Sequence, residues 1–168
     1  MLYLKKANLE DGDKEYEFYS LLPENENGFT NVFCGISRER FLSDVLPAMI
    51  GYDRGIGLPE GYVPETSWFL WEDDEIVGLF RIRHRLTDSL RSGAGHIGYS
   101  IRKGFRGRGY ASEGLRLAVE KAWEVIEEDE IYLSVHRDNP ASLAVQQKNG
   151  AYIHHADEGS YYTRIPRD

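Results

Sequence analysis

Apolar and basic residues alternate through the middle of the chain, in the segment IVGLFRIRHRL that spans residues 76–86. Alternation with a period of two is typical of a strand with one buried face. The preceding segment SWFLWE, residues 67–72, predicts another strand, and the acidic residues between the two predict the turn of an antiparallel hairpin. Arg81, Arg83 and Arg85 share the second face of the later strand, which we interpret as a solvated face.

A helical period begins at the segment GYASEGLRLAVEKAWEVI, residues 109–126, and predicts an amphipathic helix packed on the sheet. Other segments predict strands at 1–7, 96–103, 131–137, 151–156 and 160–165, helices at 8–22, 37–50 and 139–150, and loops at 51–65 and 87–95. The resulting order βααβββαβαββ predicts an α/β domain of the α+β type. We expect a mostly antiparallel central sheet flanked by helices.

Length and composition restrict the class of protein. The chain has 168 residues and a net charge of -8, which suits one domain over residues 1–168 and disfavours a general binder of nucleic acid or anionic membrane. It has no apolar run of the ~20 residues that span a bilayer and no apolar N-terminal signal, so we expect a cytoplasmic protein. A single cysteine, Cys34, excludes an internal disulfide. No metal is expected, because Cys/His clusters are missing and the neighbours His154 and His155 should point to opposite faces of a strand.

One short segment carries a strong positive charge. Residues 101–116 contain five cationic side chains and one glutamate, a net +4, so the rest of the chain carries -12. Gly104, Gly107 and Gly109 stand where a predicted strand turns directly into a helix, and they would let backbone N–H groups approach an anion. The segment lacks the Gly-Lys-Ser/Thr of a P-loop and the complete GxGxxG of a dinucleotide site. What remains is an R-x-x-G-x-A arrangement after a strand.

This arrangement is followed by the segment NPASLAVQQKNGA, and with these motifs residues 67–155 resemble the GNAT superfamily of acyl-CoA N-acyltransferases. More narrowly, they resemble bacterial predicted acetyltransferases of undefined substrate. The resemblance implies one GNAT-like domain, with a variable substrate-side region at 1–66, an acetyl-CoA-binding core at 67–155 and a closing strand at 156–168. It also implies a set of coenzyme-binding residues. These are Ile101 and Lys103 beside the pantetheine, Arg106, Gly107, Arg108, Gly109, Tyr110 and Ala111 around the pyrophosphate, and Asn139 and Ser142 on the opposite side.

The function implied by the resemblance is transfer of an acetyl group from acetyl-CoA to a primary amine, by direct attack in a ternary complex. The amine would belong to a small molecule or a peptide, and the -12 outside the coenzyme segment suggests a cationic acceptor. A homodimer is left open. One alternative is a non-catalytic acyl-CoA sensor. A second, RNA binding through FRGRG, is disfavoured by the negative charge elsewhere.

The candidates for proton transfer are less well defined. Many GNAT relatives have a tyrosine where this chain has Gln146, so the proton for the leaving thiolate would come from Tyr99 or Tyr152, or would not be needed. His96 is our first candidate for the general base that deprotonates the amine, followed by His84 and Glu72. A backbone N–H near Tyr99 could polarise the thioester if the strand bulges there. His136 is expected to be an ordinary strand residue.

Overall fold

The computed structural model describes residues 1–168 and contains nine strands and six helices. The strands are β1 (Leu2–Lys6), β2 (Asn25–Glu26), β3 (Phe29–Thr30), β4 (Glu65–Glu72), β5 (Glu75–Arg83), β6 (Ile97–Ile101), β7 (Glu130–His136), β8 (Tyr152–Ala156) and β9 (Ser160–Pro166). The helices are α1 (Gly12–Ser20), α2 (Arg38–Arg40), α3 (Leu46–Tyr52), α4 (Asp88–Arg91), α5 (Tyr110–Trp123) and α6 (Pro140–Lys148). A π-helical turn, Phe41–Val45, joins α2 to α3, and a 3-10 turn, Lys103–Phe105, follows β6.

The predicted order of elements is confirmed, with two additions and with the helix predicted at 37–50 divided into α2 and α3 by the π-helical turn. The short hairpin of β2 and β3 follows α1, and the one-turn helix α4 lies in the segment predicted as a flexible connection. Helix α4 forms because the side chain of Thr87 caps it, accepting a hydrogen bond from the N–H of Leu90 at 3.2 Å.

The strands form two main sheets in which every neighbouring pair is antiparallel. The first has the order β1-β4-β5-β6 and the second the order β7-β9-β8. The predicted α+β class with a mostly antiparallel sheet is therefore confirmed.

Helices cover both faces of the first sheet. Alternate strand residues such as Leu70 and Phe80 face α5 and pack against Leu115, whereas Phe69 and Leu79 face the other side and pack with α1 and α3. Helix α5 approaches closely because it has Gly114 at the contact, where a Cβ atom would lie 2.6 Å from the ring of Phe80.

The two sheets meet at one end of β6 and then separate. The N–H of His96, just before β6, donates to the carbonyl of Tyr132 on β7 at 2.7 Å. The neighbouring Gly95 has a φ of 72°, and a Cβ atom there would lie 2.2 Å from the same carbonyl oxygen. Beyond this junction β6 pairs with β5 and β7 pairs with β9, so a gap opens between β6 and β7.

The β2–β3 hairpin reaches across this gap. Its turn residues Asn27 and Gly28 have φ values of 52° and 89°, the left-handed conformations of a tight hairpin turn. Gly28 packs against the imidazole of His136, since a Cβ atom there would lie 2.9 Å from Nε2. On the other side of the gap, the ring of Phe29 lies under the guanidinium of Arg81 at 4.4 Å.

The register of β8 corrects one expectation. The pairing of β8 with β9 shifts between Ile153 and His155, and this irregularity brings the Nδ1 atoms of His154 and His155 to 2.8 Å. The two rings therefore do not point to opposite faces of the strand.

None of the six helices has both the length and the apolar character that a bilayer-spanning helix requires.

Candidate active site

A cleft of about 740 Å³ occupies the gap between β6 and β7. On one side it is bounded by the N-terminus of α5 and by α6, and on the other by the β2–β3 hairpin. Most of the predicted coenzyme-binding residues line it, namely Ile101, Arg106, Gly107, Gly109, Tyr110, Ala111, Asn139 and Ser142. Lys103 and Arg108 do not.

The turn from β6 into α5 presents a row of unpaired backbone donors. Gly107 and Gly109 have φ values of 79° and 81°, which favour glycine, and Gly109 is the N-cap of α5. The first hydrogen bond of the helix runs from the N–H of Glu113 to the carbonyl of Gly109, and no N–H from residues 107–112 donates within the protein. Free donors at the positive end of a helix dipole fit the pyrophosphate of coenzyme A.

The two arginines of this turn have different environments. The Nε of Arg106 donates to the carbonyl of Ile101 at 2.9 Å, and its guanidinium forms an ion pair with Glu26 of the hairpin. Arg108 instead lies over the ring of Phe105 at 5.3 Å, outside the cleft lining. Arg106 is thus the better placed of the two to bind a phosphate.

The predicted strand pairing with pantetheine fits only one of its two residues. Strand β6 ends at Ile101, and Lys103 begins the 3-10 turn, where its carbonyl accepts from the N–H of Arg106. The backbone of Lys103 is therefore not extended. The structure does not support its predicted role in strand-like pairing with pantetheine.

Two hydroxyl groups of residues that line the cleft lie close together. The hydroxyl oxygens of Tyr99 and Ser142 lie 2.6 Å apart, and the ring of Tyr99 stacks on Phe80. Asn139 holds Ser142 in place, because its side-chain oxygen caps α6 by accepting from the N–H of Ser142 at 3.3 Å. Burial raises the pKa of Tyr99, although the hydrogen bond with Ser142 lowers it. Tyr99 therefore keeps its proton at neutral pH.

Gln146 lies behind these groups and is only 1% exposed. Its amide nitrogen donates to the carbonyl of Ser134 at 3.3 Å, and its side-chain oxygen accepts from the hydroxyl of Thr163 at 2.7 Å. These bonds tie α6 to the second sheet. Tyr152, the other tyrosine considered as a proton donor, is exposed on β8 and bonds to Glu130.

The backbone of β6 offers a further donor. The N–H of Arg83 bonds to the carbonyl of His96 and that of Arg102 to the carbonyl of Val77, so the even-numbered residues of β6 pair with β5. The N–H of Tyr99 consequently points into the gap. The register between β5 and β6 has no shift, so no bulge is needed to expose this group.

His96 does not lie in the cleft. It is fully buried at the junction of the sheets, where its Nδ1 accepts from the N–H of Tyr132 at 2.9 Å and its Nε2 bonds to Glu128 at 2.8 Å. Burial lowers the pKa of His96, while Glu128 raises it. With both ring nitrogens occupied and no path to substrate, His96 is a structural residue, and these contacts argue against its predicted role as the base.

The other two predicted bases also lie outside the cleft lining. The Nε2 of His84 bonds to the hydroxyl of Thr66 at 2.7 Å and lies 3.8 Å from Asp53. Burial lowers the pKa of His84, and Asp53 raises it. Glu72 is at the far end of β4 and accepts from the N-terminal ammonium group at 3.2 Å. Neither residue is positioned to contact an acceptor.

His136 is the one histidine that lines the cleft. Neither of its ring nitrogens forms a hydrogen bond within the protein, and the ring lies beside Gly28. Glu26, on the same hairpin, is the one carboxylate in the lining. Neither His136 nor Glu26 was predicted from the sequence to line the site, although the dipeptide Asn27-Gly28 is a strong signal for a tight hairpin.

A gap in the sheet beside free N–H donors at a helix N-terminus fits an acyltransferase that binds the pyrophosphate of coenzyme A. The family model described as "Acetyltransferase (GNAT) domain" matches residues 54–152. The chain therefore belongs to the GNAT acetyltransferase family, whose members use acetyl-CoA as the acetyl donor.

Solved structures share the fold over essentially the whole chain. An acetyltransferase of the GNAT family from Streptococcus pneumoniae has 16% identity and a TM-score of 0.67, with 100% of both chains covered. The acetyl transferase from Salmonella typhimurium that modifies the N-terminal serine of a 50S ribosomal subunit protein has 16% identity and a TM-score of 0.66, over 99% of this chain and 95% of its own. The N-acetyltransferase PseH from Campylobacter jejuni, in complex with acetyl coenzyme A, has 14% identity and a TM-score of 0.60, with 100% of both chains covered.

Proposed function

We propose that this enzyme transfers the acetyl group of acetyl-CoA directly to a primary amine while both substrates are bound. The observation that carries the proposal is the position of the cleft, which lies in the gap of the split sheet with unpaired N–H donors on one side and His136 on the other. An amine and a coenzyme could therefore meet in the gap from opposite faces of the sheet. The Salmonella typhimurium protein of similar fold modifies an N-terminal serine, which is consistent with an amine acceptor.

Each end of the cleft has a separate task in this proposal. The N–H groups of residues 107–112 and the side chains of Arg106 and Lys148 would hold the phosphates. Bound acetyl-CoA would supply the acyl group and a thiol leaving group. The N–H of Tyr99 points into the gap, where it would donate to the thioester carbonyl oxygen as negative charge develops on it.

Proton transfer needs two further groups. His136 has free ring nitrogens in the cleft and would accept the proton that the amine loses, directly or through a water molecule. The hydroxyl pair of Tyr99 and Ser142 would return a proton to the leaving sulfur. One C–N bond forms and one C–S bond breaks, so the products are an amide and the free thiol.

The test is turnover of purified protein with acetyl-CoA and a panel of amines. Thiol release is followed with a colorimetric reagent, and the acetylated product is identified by mass spectrometry. We expect thiol release that depends on the amine and one added acetyl group per thiol. Saturable acetyl-CoA binding without turnover of any amine would contradict the catalytic proposal and favour the alternative of an acyl-CoA sensor.

A further inference from the structure

The two faces of the first sheet bring different side chains to the cleft. Tyr99 and Phe80 face α5, the side of the glycine-rich turn. Arg81 pairs with Gly98 and lies one residue from Phe80, so it faces the opposite side, as does Arg83. Both arginines line the cleft. They are therefore separated from the phosphate donors of α5 by the sheet itself.

Both guanidinium groups are held in place but not fully paired. Arg81 donates to the carbonyl of Thr30 at 2.9 Å and to the hydroxyl of Tyr19 at 3.4 Å. Arg83 donates to the carbonyl of Gly95 at 3.1 Å, and its Nε lies 3.6 Å from Glu65. Each guanidinium has five N–H donors, so donors remain on both side chains. Two half-buried positive charges share one neighbouring carboxylate.

The environment makes the positive charge of Arg83 costly, but not that of Arg81. Burial lowers the pKa of Arg81, yet Tyr19 and Glu65 outweigh burial and raise it overall. Burial lowers the pKa of Arg83, and the like charge of Arg81 acts in the same direction, while Glu65 opposes them. An added anion would lower this cost by neutralising the pair.

The rest of this end of the cleft offers no free carboxylate to a cation. Glu26, the one carboxylate in the lining, is paired with Arg106. The other lining residues of the hairpin, Asn27, Gly28, Phe29 and Thr30, carry no charge. A polycation would find no partner in this part of the cleft, although the net negative charge of the chain would attract it at longer range.

We propose that the acceptor is a primary amine that also carries a carboxylate, and that Arg81 and Arg83 bind this carboxylate at the end of the cleft opposite the coenzyme. The inference rests on the proposed function and names its substrate class. The planar fork of donors on an arginine matches the two oxygens of a carboxylate. Bound in this way, the acceptor would be oriented with its amine in the gap between β6 and β7.

The test uses pairs of acceptors in which one member has a carboxylate and the other a neutral amide in its place. One arm compares free amino acids with their amides, and the other compares peptides with aspartate or asparagine after the N-terminal residue. The variants are Arg83→Gln, Arg81→Gln and the conservative Arg83→Lys. Arg85→Gln is the matched control, because Arg85 has the same charge on the same segment but is exposed and does not line the cleft.

We expect the wild type to prefer the carboxylate member of each pair by at least roughly tenfold in kcat/KM. Arg83→Gln should remove this preference through KM, Arg83→Lys should restore part of it, and Arg85→Gln should keep it. The dissociation constant of acetyl-CoA should stay unchanged in all of them. A preference for free amino acids over their amides would identify a small-molecule acceptor. A preference for the aspartate peptides over the asparagine peptides would identify a peptide acceptor.

Two results would overturn the inference while leaving the proposed function intact. One is turnover that is equal or faster with the amides, and the other is a preference that survives both Arg83→Gln and Arg81→Gln. Because Arg81 also supports the hairpin through Thr30, Arg83→Gln is the more decisive variant. Failure of the wild type to bind acetyl-CoA would instead contradict the proposed function itself.

Discussion

The hydroxyl oxygens of Tyr99 and Ser142 lie 2.6 Å apart and join β6 to α6 across the cleft. The N-cap of α6, Asn139, fixes one partner, and stacking on Phe80 fixes the other. The pair stands beside the backbone N–H of Tyr99 that points into the gap. Gln146, where the resemblance implies a tyrosine in many GNAT members, bonds to Ser134 and Thr163 and lies outside the cleft lining. The hydroxyl of Tyr99 on β6 would therefore take the place of a tyrosine proton donor on α6.

Removing the Tyr99 hydroxyl should therefore slow turnover. We expect Tyr99→Phe to lower kcat by roughly tenfold to a hundredfold, the low end of general-acid effects, because a thiolate is already a fair leaving group. Ser142→Ala should have a similar or smaller effect. Tyr152→Phe, which removes an exposed hydroxyl outside the cleft, is the control and should be silent. Steady-state kinetics with saturating acetyl-CoA measure all three, and an unchanged kcat in Tyr99→Phe would rule out this donor.

The two histidines on either side of the β6–β7 gap should respond differently to substitution. His136→Ala should lower kcat/KM by about a hundredfold, because the amine loses the group that accepts its proton. His96→Ala should keep kcat/KM near that of the wild type but reduce the free energy of unfolding by about 1–3 kcal/mol, because the buried N–H of Tyr132 loses its acceptor. Steady-state kinetics, combined with urea denaturation, separate the two effects. An unchanged kcat/KM in His136→Ala, together with a loss of about a hundredfold in a folded His96→Ala, would restore His96 as the base.

The two arginines of the glycine-rich turn should contribute unequally to coenzyme binding. Arg106→Ala should weaken acetyl-CoA binding by roughly 1–3 kcal/mol, and Arg108→Ala by less, because only Arg106 lines the cleft. Glu26→Gln should leave binding unchanged or strengthen it, since Glu26 competes with a phosphate for Arg106. Isothermal titration calorimetry gives the three dissociation constants. A larger loss in Arg108→Ala than in Arg106→Ala would mean that the turn rearranges on binding.

Stability should depend on pH through Glu15, which is fully buried in α1. Its Oε2 accepts from the N–H of Asn8 at 3.1 Å, but its Oε1 has no partner. Burial raises the pKa of Glu15 from 4.5 to about 8. Because the folded state holds this proton more tightly than the unfolded chain, the free energy of unfolding should fall as pH rises from about 4.5 to about 8, by at most about 1.4 kcal/mol per pH unit.

Glu15→Gln isolates this contribution from those of other titrating groups. The variant should gain stability relative to the wild type between pH 5 and pH 8, as measured by urea denaturation at each pH. Parallel pH dependences of the two proteins would show that Glu15 is ionised in the folded state.

The sequence was sufficient for those parts of the site that depend on local structure. A strand that turns through glycines into a helix is a local feature, so Gly107, Gly109 and the start of α5 could be predicted. The role of His96 could not, because its partners Glu128 and Tyr132 are more than thirty residues away and meet it only where the sheets join. Alternation along a strand shows which residues share a face, but not whether that face meets solvent.

The same limit explains the arginines of β5. Their pattern correctly placed Arg81 and Arg83 on one face, but the cleft beside that face is completed by the β2–β3 hairpin, which was not predicted. The hairpin strands have only two residues each, too few for a periodic signal. The turn dipeptide Asn27-Gly28 was the available indication.

Titration of acetyl-CoA into the wild type and the Gly109→Val variant tests the central claim most directly. Gly109 has a φ of 81° and open space beside its Cα atom, so a valine there would strain the turn and fill the space that the pyrophosphate needs. Gly104→Val is the matched control, since Gly104 lies in the same turn, outside the cleft lining, with no positive φ and no atom within 4 Å of an added Cβ. We expect saturable binding to the wild type and to Gly104→Val, and no measurable binding to Gly109→Val while its circular dichroism spectrum remains that of the folded protein. Equal affinity of the wild type and Gly109→Val for acetyl-CoA would contradict the assignment of the site.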